Sequence, residues 1–279
     1  CNGECGGSAI WDCCVGCCNY EDLDCNNECF GIAVEDCAGS CNGDATEDDC
    51  GVCNGDNSTC IYDVDGNAYG AVQIGDQNWM KENLSVIFAV DNDSSNYYDT
   101  GNYGFLYKWD AISGDDICPD GWRISTDEDW KELENTLGMS DSDVNNTGLR
   151  GTNEGGKIKS LDGWDTTMDT SVINTNETGF SAYPAGYALD FIQYNANNSA
   201  GFWAPSEAGG IDSVYNRSLD YAHSQIGRSL LDGSWQLYGH SVRCIELYCD
   251  DPSACNYDQN EECDYNWGGA CFDCANDEI

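Results

Sequence analysis

Cysteines recur on a twelve-residue step along the first sixty residues, and no other feature of the chain restricts its fold as much. One series falls at positions 1, 13, 25, 37 and 50, and a second at 5, 17, 29, 41 and 53. The segments "CNGECGGSAIWDC", "CNNECFGIAVEDC" and "CAGSCNGDATEDDC" also share glycines, at Gly7, Gly31, Gly43 and Gly55. An aspartate precedes the next cysteine at Asp12, Asp24, Asp36 and Asp49. A unit this short, with one or two apolar side chains, buries too little surface to offset its chain entropy, so cross-links must hold it. The period therefore predicts a disulfide-laddered rod. Glycine at a fixed offset predicts a turn of positive φ in each repeat. Spacing leaves the pairings open, and "DCCVGCC" at 12–18 adds a zinc site on Cys13, Cys14, Cys17 and Cys18 as the minor alternative to cystine. Cys1 keeps the offsets of the later repeats to Cys5, Gly7, Ala9 and Asp12. It is expected to be an ordinary repeat cysteine, bonded within its own or the preceding repeat and with chain upstream, rather than an acylated first residue.

Charge divides the chain in the same way as cysteine. Residues 1–60 hold 13 of the 20 cysteines, residues 61–248 hold two, and residues 249–279 hold five. All ten Lys and Arg residues lie in the middle stretch. Three parts are expected: cysteine-rich repeats at 1–60, a foldable domain at 61–248, and an acidic cysteine-rich repeat at 249–279. A net charge of -41 repels nucleic-acid phosphate and anionic lipid, and favours counter-cations as partners. Cystine at this density predicts an oxidising, extracellular setting. The best apolar run, Val86 to Val90, falls far short of the ~20 residues of a membrane helix.

From Ile61 onward, alternating apolar residues broken by Gly, Asn and Asp read as short strands joined by long loops. Asp65-Gly66-Asn67 is a hairpin signal. One helix is clear in "ISTDEDWKELENTLG": Ser125 as N-cap, Glu128 as its capping-box partner, Trp130, Leu133 and Leu137 as apolar stripe, and Gly138 as stop. At "DVDGNAYGAVQIGDQNWMKENL", "YGFLYKWDAI", "ICPDGWRISTDEDWKEL", "GGKIKS", "TNETGFSAYPAGY", "FWAPSEA" and "HSVRC", in this order, the chain resembles the Fibrobacter-type major paralogous domain, often called FISUMP. That family is similar to the C-type-lectin-like and formylglycine-generating-enzyme folds. The resemblance implies an α+β domain, C-type-lectin-like, with few helices and many loops, flanked here by small disulfide-rich modules.

Cys118 and Cys244 are the domain's two cysteines and are expected to bond to each other. Cys60 and Cys249 flank the domain and leave odd counts on either side, so a Cys60–Cys249 bridge is expected, with intermolecular bonds between repeats as the rival. No catalytic set is apparent. His223 and His240 are the two imidazoles, and His240 reads as a structural strand residue. "GTNEGGKI" at 151–158 nearly matches a phosphate-binding loop, but Ile158 replaces the magnesium-binding hydroxyl and no apolar strand leads into it. The oxidases of similar fold need a reactive cysteine pair, and the expected disulfide uses up the pair present here. Seven of the nine tryptophans lie in the domain and offer either sugar-stacking faces or core filling. The E-P-N, Q-P-D and W-N-D motifs of calcium-dependent lectins are absent.

"CDDPSACNYDQNEECDYNWGGAC" resembles repeats that accompany other modules in large surface proteins of Bacteroidota. Its Asp258, Asn260, Glu262 and Asp264 alternate and can turn oxygens toward one hard cation, so calcium is the candidate cofactor, with no organic cofactor expected. Seven N-x-[ST] sequons occur, and Thr166 and Ser213 fit the D-[ST]-x pattern of bacterial O-glycosylation. The sequence thus leads to a non-catalytic structural or adhesive segment of a large bacterial surface protein, a filament or appendage subunit. Self-association or contact with other surface modules is expected, with no nucleic acid and no membrane insertion. The alternative is a carbohydrate-binding module for polysaccharide capture.

Overall fold

A computed structural model describes residues 10–12, 16–18, 23–28, 30–87, 96–113, 117–165, 172–190, 192–206, 213–232 and 237–247. The chain forms two compact units, Cys1–Cys60 and Ile61–Ile279.

The described residues of the first unit contain little regular structure. A hairpin of β1 (Ile10–Asp12) and β2 (Gly16–Cys18) is followed by repeats whose spacing is set by aspartate. One carboxylate oxygen of Asp24 accepts the Asn26 and Glu28 amides, and the other accepts the Ala33 amide. Asp36 holds Ala38, Ser40 and Ala45 in the same way, and Asp48 holds Cys50, Val52 and Asn57. Asp48, not Asp49, continues the series, which keeps the step at twelve and puts the inserted residue between Asp48 and its cysteine. Disulfides Cys25–Cys41 and Cys37–Cys53 span sixteen residues each and interleave. The Cys60–Cys249 expectation is wrong: Cys60 bonds Cys50. The insertion explains this. It places Cys50 at the loop position of Asn26 and Ala38, where its side chain is buried and meets the end of its own repeat.

The repeated glycines also differ from expectation. A Cβ on Gly31, Gly43 or Gly55 would lie 1.9, 1.8 or 2.0 Å from the capping carboxylate of Asp24, Asp36 or Asp48. They are glycine so that the carboxylate can approach, not for positive φ. Positive φ falls instead at Asn27, Gly39 and Gly51 and at Phe30, Asn42 and Asn54.

The second unit is mostly sheet. A hairpin of β3 (Ile61–Tyr62) and β4 (Ala68–Tyr69) closes around the expected Asp65-Gly66-Asn67 turn. An antiparallel sheet runs β5 (Ala71–Ile74), β6 (Gln77–Met80), β17 (Cys244–Glu246), β9 (Trp122–Ile124). A second runs β12 (Ile192–Tyr194), β11 (Tyr187–Leu189), β16 (Tyr238–His240), β8 (Phe105–Lys108), β7 (Tyr97–Asp99). The third runs β10 (Gly148–Arg150), β15 (Ile226–Asp232), β14 (Ser213–Asp220), β13 (Ser199–Ala204). Four helices occur among the described residues: α1 (Trp109–Ile112), α2 (Asp127–Thr136), α3 (Asp141–Val144) and α4 (Glu154–Ile158).

Helix α2 starts one residue later than its expected cap. Thr126 caps the Asp129 amide, and Asp129 returns a bond to the Thr126 amide. Ser125 instead accepts the Trp130 indole N–H. Trp130 is fully buried and meets Trp79 and Phe180 edge-on at 5.4 and 5.5 Å. A second core gathers Met80, Leu84, Tyr107, Trp122, Trp203 and Val242 beside the Cys118–Cys244 disulfide.

Candidate ligand-binding site

Most groups with chemical potential are built into the scaffold of the second unit. Asp127 and Glu134, seven residues apart and so on one face of α2, point at the third sheet. Glu134 accepts both Nη atoms of Arg150 and the Nε of Arg217. Asp127 accepts Arg217, Lys131 and the fork of Arg228. Burial raises the Asp127 carboxyl pKa, but Arg228, Arg217 and Lys131 outweigh that and hold it well below the ordinary range. Arg243 of the "HSVRC" strand is fully buried over the Phe180 ring and donates to Met80 O, Phe180 O, Ser181 O and Asn83 Oδ1. Burial lowers its pKa to about 9.

The remaining candidate catalysts are similarly committed. His240 stands on β16 against Trp203, with Asn216 at its Nε2, and burial lowers its pKa to about 3, so it is neutral at physiological pH. His223 is exposed and paired to Asp220 through Nδ1 at 2.8 Å. Lys159 is buried, donates to the Asp220 and His223 carbonyls, and lies 4.7 Å from the Trp164 ring centre. Burial lowers its pKa to about 8. The "GTNEGGKI" stretch contains α4. There a Cβ on Gly155 or Gly156 would strike the Gln225 or Ile173 carbonyl at 2.6 or 2.7 Å, so these glycines serve close packing. Cys118 and Cys244 are joined by a disulfide. Asp48, Cys50 and Cys60 also lie close together, but Cys50 and Cys60 are bonded to each other and offer a metal no thiolate.

Among the described residues, two surfaces remain for a ligand. The first is an open cleft of about 450 Å³, lined by Asp65, Asn67, Ser85, Ile87, Asp99, Gly101 and Phe105. The hairpin turn shapes its floor. Asp63 accepts the Asp65 and Asn67 amides, the Asn67 side chain and the Tyr69 hydroxyl, which is 2.6 Å away. Burial, then Asp63 beside it, pushes the Tyr69 pKa up, so the phenol stays protonated as the donor. Asp65 caps the Ile87 amide and Asp99 the Gly101 amide. Carboxylate, amide and hydroxyl oxygens around one apolar ring suit a polyhydroxylated ligand.

The second surface is an aromatic face at the β12 edge of the five-stranded sheet. Cross-strand pairing places Tyr194, Tyr187, Tyr238 and His240 on one side. Tyr187 stacks on Tyr194 at 5.6 Å, Tyr238 follows at 6.1 Å, and His240 stacks on Tyr238 at 5.9 Å. Burial increases inward, from exposed Tyr194 and Ile192 to buried His240. Among the described residues the tryptophans supply no such face, and Trp109 is half-buried. Trp79, Trp122, Trp130, Trp164 and Trp203 are all buried.

A family model described as the Fibrobacter succinogenes major domain matches residues 72–246, well over half of the chain. The chain belongs to this family. No curated protein and no solved structure matches it. Within the major domain, the motifs seen in the sequence are structural joints. Asn83 of "ENL" bridges Tyr103 O, Ser241 Oγ and Arg243, and Glu82 beside it accepts the Gly70 amide. Gly186 of "PAGY" has φ +75°, and a Cβ there would sit 2.1 Å from Tyr194 O, so this glycine lets β11 begin beneath the tyrosine face.

Several expected sites lie elsewhere. Asp258, Asn260, Glu262, Asp264, Cys249, Cys1 and Thr166 are outside the described residues, as are Cys13 and Cys14. Ser213 opens β14, and its side chain is likewise outside what is described. Asn83 and Asn216, both in sequons, are buried and hydrogen-bonded, which removes them as glycan acceptors. The tyrosine face carried one signal in the sequence: Tyr187 and Tyr194 flank a tight turn at equal distances from its centre.

Proposed function

We propose that this chain is a non-catalytic, extracellular structural segment of a large bacterial cell-surface protein, and that it combines a C-type-lectin-like major domain with a disulfide-laddered repeat segment. The observation that carries this reading is the interleaving of the disulfides. From Cys25 a covalent path crosses to Cys41, runs back to Cys37, crosses to Cys53, runs back to Cys50, and crosses to Cys60. Tension along the chain therefore runs mostly through disulfides rather than unfoldable backbone. The absence, among the described residues, of a helix long and apolar enough to cross a membrane accords with this reading. Calcium remains the proposed cofactor of the carboxyl-terminal segment, on Asp258, Asn260, Glu262 and Asp264. The reading is tested by pulling the whole chain from both ends. Oxidised protein should extend between Cys25 and Cys60 only along the short disulfide path, and reduction should let this segment lengthen toward its full contour of roughly 120 Å. Oxidised chain that already yields this length would end the proposal.

The tyrosine face supports a second reading, a module that captures neutral polysaccharide by ring stacking. Tyr187→Ala with Tyr194→Ala should abolish any signal on a glycan array while leaving the melting temperature within a few degrees. No signal from the unaltered chain, with and without calcium, would sink it.

A further inference from the structure

The cysteine-rich repeats carry an internal control for their own surface. The aspartate series fixes the register, so positions 30, 42 and 54 are equivalent, as are 32, 44 and 56, and 34, 46 and 58. All nine side chains are exposed. In two repeats they are Asn42, Asp44 and Thr46, and Asn54, Asp56 and Ser58. In the third they are Phe30, Ile32 and Val34, exposed by 62%, 96% and 73%. The neighbouring repeats show that the fold does not need apolar groups here.

Backbone conformation makes Phe30 more unusual still. It has φ +56°, where Asn42 and Asn54 have +52° and +55°. Asparagine tolerates this left-handed region, and a bulky aromatic is strained in it. A strained, solvent-facing phenylalanine beside an isoleucine that buries almost nothing gives the repeat no stability. Such a residue is explained by what it contacts.

We propose that Phe30, Ile32 and Val34 form a docking strip for an extended, cationic segment of another protein, carrying apolar side chains at alternate positions with Lys or Arg between them. The alternation matches the strip, whose residues are two apart. The positive charge follows from the surroundings: Glu28 and Glu35 are exposed at either end of the strip, and residues 1–60 contain no Lys or Arg. A second copy fits poorly, because each copy carries a net charge of -41. Three side chains make a small contact, so single-site binding is weak and salt-sensitive. The proposal stands whichever function the major domain has.

The test titrates oxidised whole chain with two short synthetic peptides of equal charge, one alternating Lys and Leu, the other Lys and Ser, at physiological ionic strength. The Lys-Leu peptide should bind, protect the amides of residues 30–34 from hydrogen exchange, and outbind the Lys-Ser peptide. F30N/I32D/V34T, which installs the next repeat's own residues, should weaken Lys-Leu binding by about tenfold, or 1.4 kcal/mol, and leave Lys-Ser binding nearly unchanged. Adding N42F/D44I/T46V to that variant should restore Lys-Leu binding one repeat along, which separates loss of the strip from loss of the fold. Equal binding of both peptides, unchanged affinity in the first variant, or dimers held by the strip in sedimentation would overturn the proposal.

Discussion

The two units of this chain solve the same problem with opposite means. In the first, a residue is held by a covalent bridge within sixteen positions and by a carboxylate that accepts three backbone amides. In the second, it is held by a core around Trp130 and by an ion cluster joining α2 to three strands of a sheet. Local cross-links let a sequence repeat without limit, since no repeat depends on a distant one. A core requires the right partners from positions far apart, such as Cys118 and Cys244, 126 residues apart. The comparison teaches why acidity is tolerated at such density in the first unit. None of the acidic groups among its described residues is buried, and Asp24, Asp36 and Asp48 each cap three backbone amides.

Reduction should break the comparison most visibly. Each sixteen-residue bridge contributes about 3 kcal/mol in the chain-entropy account, and the described residues of the first unit form no hydrophobic core to replace it. Under reductant, limited proteolysis read by mass spectrometry should cut throughout residues 23–60 while the major domain stays protected. Equal resistance of both units would mean that the repeats have a stabilising core after all. The largest effect of a single substitution should fall in the major domain. Arg217→Met leaves Asp127 and Glu134 short of a buried partner, and should cost about 3–5 kcal/mol in a urea titration followed by tryptophan fluorescence. A cost below about 1 kcal/mol would show that solvent reaches the cluster.

What the sequence disclosed follows the same divide. The twelve-residue step, the family motifs and the α2 stripe of Trp130 and Leu133 are periodic or contiguous, and so were legible. The cap was read one residue early because Ser125 and Glu128 share the spacing of Thr126 and Asp129. The role of Gly31, Gly43 and Gly55 was hidden because positive φ and close approach both select glycine, and one sequence does not separate them. The ion cluster was invisible: Arg150, Arg217 and Arg228 sit on different strands and meet only after the sheet forms. The Cys60–Cys249 expectation fails because the one-residue insertion before Cys50 changes the direction of its side chain but hardly changes the spacing.

The glycine finding can be sharpened by two alanines four residues apart. Gly39→Ala meets no atom within 4 Å but keeps φ at +77°, and should cost about 1–2 kcal/mol as strain. Gly43→Ala puts a Cβ on the Asp36 carboxylate and should also free the Ala38, Ser40 and Ala45 amides. Hydrogen exchange at those three amides should rise in Gly43→Ala and stay near the parent rate in Gly39→Ala. Identical exchange patterns would return these glycines to a purely conformational role.

The smallest expected effect is an acid response confined to single repeats. The Glu28 amide, with those of Ala33 and Asn26, holds the Asp24 pKa below its ordinary value of 3.8 against the desolvation that raises it. The Ser40 amide, with those of Ala45 and Ala38, does the same for Asp36. A lowered folded pKa means the stabilisation is complete above 3.8 and is lost as pH falls through the folded value. Amide protection at Glu28 and Ser40 should therefore fade below that pH. Asp36→Asn, which has no charge to lose, should remove the pH dependence at Ser40 and leave it at Glu28. If the two fade together in the variant, the repeats act as one cooperative body, and the contrast with the major domain is one of composition rather than of folding.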